Sequence, residues 1–113
     1  MSVVNRGNAE HYRWGEVCDG WRLSSGNDLS VIEERIPPGR GEIAHFHRRA
    51  RQVFYVLTGR LVIHLPDCTR ELRPSDSLEV GPQTVHRVHN PFEQEVTFLV
   101  ISSPSTAEDR INV

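Results

Sequence analysis

The stretch "HFHRRARQ", residues 45–52, sets His45 and His47 either side of Phe46 and places Gln52 five residues after the second histidine. A third histidine with a partner nearby occurs in "VHRVHN", residues 85–90. Imidazole nitrogens and amide oxygens are donors that first-row divalent ions accept, the imidazole at about 2.0–2.1 Å. Side chains alternate faces along a strand, so His45 and His47 share a face while Phe46 takes the other. By the same parity Gln52, Phe54 and Val56 point one way, and Val53, Tyr55 and Leu57 the other. His86 goes with Val88, opposite Val85, Arg87 and His89. If the first faces all turn into one barrel, then His45, His47, Gln52 and His86 converge and His89 stays out. Inward imidazoles need a charge or a hydrogen-bond partner to offset their burial, and a divalent cation supplies it. A quieter reading keeps the histidines as hydrogen-bonded core groups, with Gln52 orienting a histidine or a water.

The elements that would carry these residues read as strands. "LSVIEERI" (29–36), "QVFYVL" (52–57), "RLVIHL" (60–65), "SLEV" (77–80) and "EVTFLVI" (95–101) are short and rich in β-branched or aromatic residues. Turn residues separate them: Pro37-Pro38-Gly39, Thr58-Gly59, Pro66-Asp67, Pro74-Ser75-Asp76, Gly81-Pro82 and Asn90-Pro91. No segment sustains a helical period. Closely spaced short strands predict an all-β antiparallel sandwich or barrel. The Ser/Pro-rich "SSPSTAEDR" near the end reads as an irregular tail.

Length and composition bound the function. A chain of 113 residues has the length of one domain, and such a domain buries roughly two-thirds of its unfolded surface. A formal net charge of -2 argues against a nucleic-acid partner. All 13 basic residues are arginine, which excludes Schiff-base chemistry and a phosphate loop that needs lysine. The polar start lacks the apolar core of a signal peptide, and no run is long enough to span a membrane. Cys18 and Cys68 stand without CxxC spacing, so the reading is free core-like thiols in a reducing cytoplasm.

The spacing Gly39, His45, His47, Gln52, Gly59 resembles the first motif of the cupins, and "SDSLEVGPQTVHRVHN" resembles their second, with His86 followed four residues later by Asn90. The resemblance implies a double-stranded β-helix, the cupin jelly-roll barrel, with a metal site inside. It implies His45, His47, position 52 and His86 as ligands of one divalent transition metal: iron, manganese, nickel or zinc. The expected domain covers residues 1–113, with a core barrel over about 28–102 flanked by N-terminal strands and the tail. Position 52 is usually glutamate in cupins; the amide here brings no charge to the ion, so metal should bind more weakly and the site stay more positive. Ser75 and Gln83 stand where glycine is usual, and Gly81 where proline is usual. The tail is similar to that of short bacterial single-domain cupins, many of which carry the glutamine. Their relatives commonly pair, and no room remains for a DNA-binding segment.

Other residues have two readings each. His64 lies opposite Leu61, Ile63 and Leu65 and either lines the cavity or sits at a surface. His11 reads as solvated in a polar leader, and His89 as a surface residue. Arg40, Arg48, Arg49 and Arg51 are either a solvated loop or a rim that steers anions. Glu33, Glu34 and Glu42 can serve as a base only if they face the cavity. Strand 53–57 is apolar on both faces, which predicts a second chain as cover and hence a homodimer. No GxSxG, HExxH or Gly-rich nucleotide loop competes. Two function classes follow: a metal-dependent enzyme, dioxygenase-like or isomerase or lyase, on a small anionic organic molecule, or a barrel that binds a small molecule or metal without turnover.

Overall fold

The structure, a computed structural model, describes residues 1–15 and 17–113. Its regular elements are β1 (Glu10–Trp14), β2 (Cys18–Ser25), β3 (Ser30–Ile36), β4 (His45–His47), β5 (Arg51–Thr58), β6 (Leu61–His64), β7 (Thr69–Leu72), β8 (Ser77–Val80), β9 (Arg87–His89), β10 (Val96–Ser103) and β11 (Arg110–Asn112). Among the described residues there is no helix long and apolar enough to cross a membrane.

One sheet runs β1-β2-β3-β10-β5-β8. Facing it are the ladders β7-β6-β9 and β11-β4, joined by antiparallel bridges Gly41↔His89 and His45↔His86. This is the double-stranded β-helix that the motifs imply. Register across β3, β10 and β5 lines up the inward residues in rows: Ile32, Val100 and Phe54, then Glu34, Phe98 and Val56. Parity along β5 holds as expected, since Gln52, Phe54 and Val56 are buried and Val53, Tyr55 and Leu57 are not. Phe98, Ile36, Leu61 and Ile63 are fully enclosed, each such side chain contributing about 1.5–3 kcal/mol by leaving water.

The turns show why the motif glycines matter. Gly59 has φ 77°, and a Cβ there would run into the Glu95 carbonyl, so the β5–β6 corner admits no side chain. Ser75 and Gln83, in the places where glycine is usual, hold φ of 74° and 63°. A side chain in this left-handed region costs about 1–2 kcal/mol. The Gln83 backbone N–H donates to the His47 carbonyl at 2.6 Å.

One expectation at the chain ends needs correcting. The tail is not simply irregular: β10 extends to Ser103, and after a loop β11 pairs with β4, Arg110 opposite His47 and Asn112 opposite His45. The buried Asp109 carboxylate anchors it by accepting from the Arg49 and Ala50 amides at 3.1 and 2.9 Å. These donors hold the Asp109 carboxyl below its ordinary range against the opposing effect of burial. His11 is exposed, as expected, and still has partners. It lies in β1, its Nε2 is 2.7 Å from Asp19 Oδ1, and its ring rests on Trp21.

Candidate metal centre

The backbone brings the two histidine motifs together directly. His45 N donates to the His86 carbonyl at 3.0 Å and His86 N to the His45 carbonyl at 2.8 Å. Such a doubly bonded antiparallel pair sets both side chains on one face. The His45 and His86 rings are 4.5 Å apart, and His47, two residues along, lies 5.1 Å from His45 and 5.9 Å from His86. One ligand nitrogen from each of the three lies within 4.8 Å of the others, so the cluster could hold a metal ion.

Hydrogen bonds orient the rings. His45 Nδ1 donates to the Ile43 carbonyl at 3.1 Å and His86 Nδ1 to the Thr84 carbonyl at 2.8 Å. With Nδ1 carrying the hydrogen, each neutral ring presents Nε2 as a lone pair. Burial keeps the rings neutral by holding His45 down at about 3 and His47 at about 4, with His86 lowered for the same reason. His47 Nδ1 is buried with no hydrogen-bond partner.

Gln52 completes the set in space. Its Nε2 donates to Ser102 Oγ at 3.2 Å, a contact set by the β5–β10 register. Its Oε1 faces His86 Nε2 at 3.2 Å. That separation suits a hydrogen bond, yet neither atom has a hydrogen to share. Two lone pairs turned on each other fit a cation between them. Donors about 2.1 Å from a six-coordinate ion stand about 3 Å apart at right angles. The lone pairs, the orphaned His47 nitrogen and the neutral rings all suit a divalent ion.

His45, His47 and Gln52 open on a cavity of about 180 Å³, also lined by Tyr12, Glu34, Glu42, Ser102 and Arg110. Two of the three glutamates considered above face it. Glu42 is well supplied: its Oε2 accepts from the Val88 amide at 3.0 Å, and its Oε1 lies 3.3 Å from Arg110. Glu34 accepts only from the Tyr12 hydroxyl, at 3.3 Å, among the described residues. Burial raises both carboxyls, Glu34 to about 8 and Glu42 to about 7. Glu33 points outward and pairs with Arg6.

Other candidates stay away. His89 lies outside the cluster, its ring 5.7 Å from His64, and neither lines this cavity. Arg40, Arg48, Arg49 and Arg51 are exposed and do not line it; the arginine that does is Arg110, from the tail. Neither motif contains Tyr12, Ser102 or Arg110, which also line the cavity. Strand parity through "EHYRW" would have flagged Tyr12, but nothing local marks Arg110.

Residues 32–102 match the Cupin domain family. The chain belongs to the cupins. This cupin is 27% identical over 82 residues to the uncharacterized protein MJ1618 of Methanocaldococcus jannaschii, covering 73% of this chain and 66% of that relative's length. An RmlC-like cupin from Shewanella frigidimarina superposes with a TM-score of 0.82 at 19% identity, over 96% of this chain and 95% of that one. The polyketide cyclase RemF from Streptomyces resistomycificus gives 0.85 at 22% identity, over 100% of this chain and 85% of that one. At these identities the structural likeness speaks for the fold alone.

Proposed function

We propose that this cupin is a metal-dependent enzyme acting on a small anionic organic molecule, with His45, His47, Gln52 and His86 as ligands of one divalent transition metal. The observation that carries the reading is an open cluster: neutral histidine lone pairs meet a cavity that also holds ionisable carboxyl groups. A site built only to store metal has no use for a protonatable group beside it. That RemF bears the name of a cyclase shows that this fold serves an enzyme elsewhere, and it supports the reading by analogy only.

The cavity sets the size of the ligand. About 180 Å³ equals roughly six waters of liquid, well below the 300–1,000 Å³ or so of drug-sized pockets. A short-chain organic acid fits. A bound metal would supply Lewis acidity at the histidine end. The ligand amide adds no charge, so the ion's double charge stays open to an anion. The chain's own residues do the rest. Arg110 and Glu42 line the cavity as an ion pair, Ser102 holds the Gln52 amide, and Phe54 and Val100 add apolar lining.

The test is a panel of short hydroxy acids, oxo acids and diketones offered to protein of measured metal content. Oxygen consumption and the NMR spectrum of each compound are followed together. Turnover of at least one compound, lost on chelation, is expected. Saturable binding with no turnover across the panel would return the site to a binding role.

We also place this cupin in the cytoplasm as a single-domain homodimer. Both cysteines are free, Cys18 buried and Cys68 half-buried, as suits a reducing compartment. The outer face of the large sheet carries Val53, Tyr55, Leu99, Ile101 and Val31 in neighbouring register, with Leu57 37% exposed at its end. A second copy related by a two-fold axis would cover this patch. Sedimentation should therefore report a dimer at micromolar concentration and a monomer for Tyr55→Arg. A wild-type monomer there ends the proposal.

A further inference from the structure

The cavity's two carboxyl groups have unequal surroundings. Glu42 has a backbone amide and the Arg110 guanidinium. Glu34, on β3, has no cation within ion-pair distance among the described residues, and its one hydrogen-bond partner there is the Tyr12 hydroxyl. The fold makes a specific provision for that contact. Tyr12 pairs with Gly20, and Gly20 pairs with Glu34, so the three residues form one row across β1, β2 and β3. A Cβ at Gly20 would overlap the Tyr12 ring. The missing side chain is what lets the phenol lie across β2 and reach the carboxyl.

Resting on the functional reading above, we propose that Glu34 is the proton donor and acceptor for a ligand lying against the histidines, with Tyr12 as its positioning residue and Gly20 as the gap that admits Tyr12. The transfer balances simply. The carboxyl O–H bond breaks as an O–H or C–H bond forms on the ligand, leaving Glu34 as carboxylate, and the reverse step restores it. No oxidant or reductant is needed.

The groups around Glu34 agree with this role. From β1 comes the Tyr12 hydroxyl, from β2 Arg22, from the segment before β4 Glu42, and from β11 Arg110. Burial is the largest influence and Glu42 the next, both raising the Glu34 carboxyl, to about 8; Tyr12, Arg110 and Arg22 act the other way. A dication at the histidines would pull the value down towards neutrality, where one group gives and takes protons with similar ease. The carboxyl also suits the ligand class. The acid's charged end meets the histidine end, and its second oxygen or its carbon meets Glu34.

Carbon-13 NMR of glutamate carboxyls, with Glu34 assigned by its absence in Glu34→Gln, tests the proposal without turnover. Three states are titrated: metal-free, zinc-loaded, and zinc-loaded with oxalate. The expected result is a Glu34 midpoint above neutrality without metal, lower with zinc, and raised again by about one pH unit, a tenfold change in proton affinity, when oxalate binds. Tyr12→Phe and Gly20→Ala should each raise the metal-free midpoint, because each removes the phenol's hydrogen bond to the carboxylate. A residue that merely filled space would leave it unmoved. A midpoint in the ordinary carboxylate range, or one indifferent to bound oxalate, overturns the role of Glu34 while the metal reading stands. Zinc-loaded protein that binds no oxalate overturns the functional reading and this inference with it.

Discussion

His86→Ala and His47→Ala are each expected to yield protein that no longer retains a divalent metal. His86 is the link between the two motifs: its backbone is bonded twice to His45, and its Nε2 faces Gln52. Removing the ring deletes one donor and leaves the Gln52 oxygen without the lone pair it faces across the site. His47 adds one ring nitrogen to the cluster, and its Nδ1 has no hydrogen-bond partner, so its loss removes a donor whose ring has no competing contact at that atom. Metal analysis after purification reads the effect directly. A thermal readout is independent of it. A ligand that binds only the folded state stabilises by about 2.7 kcal/mol at one hundred times its dissociation constant, a shift of several degrees for a domain of this size. Wild-type protein should show that shift on adding metal, and both variants should show none. Unchanged metal content in both variants would remove the site.

Gln52→Glu is expected to tighten metal binding about tenfold, if the missing ionic contact is worth about 1.4 kcal/mol. The structure accommodates the exchange. Ser102 Oγ, which accepts from the amide at 3.2 Å, can turn its own hydrogen towards a carboxylate. Glutamate has nearly the same shape, so the buried site would not need to repack. The same change should weaken the binding of azide or oxalate to metal-loaded protein, because the added negative charge acts in a low-dielectric cavity. Titrating both proteins with metal, then each loaded form with the anion, gives the two affinities. If glutamate leaves both unchanged, Gln52 serves the histidines from behind and is not a ligand.

The histidine cluster was legible because the facing of each part rests on a local rule and the resemblance to the cupins supplied the barrel that joins them. Alternation along a strand is a property of the backbone, so His45 with His47, Gln52 with Phe54, and His86 with Val88 could be assigned to faces without knowing their neighbours. The same rule kept His89 out. Turn residues marked the strand limits, and Gly59 was required where the chain passes the Glu95 carbonyl.

What tertiary structure alone decided is which strands meet, and at what register. Arg110 enters the cavity because β11 crosses to pair with β4, more than sixty residues earlier in the chain, and the tail's composition reads as loop. Glu34 acquires its phenol through a glycine on the strand between them. Glu33 and Glu34 are adjacent and chemically the same, yet one is paired outside with Arg6 and the other lies in the cavity. Alternation dictates that two such neighbours must part; only long-range packing says which one is buried. The inward set of each strand is therefore written locally, whereas the cavity those sets enclose depends on pairings that no local pattern encodes.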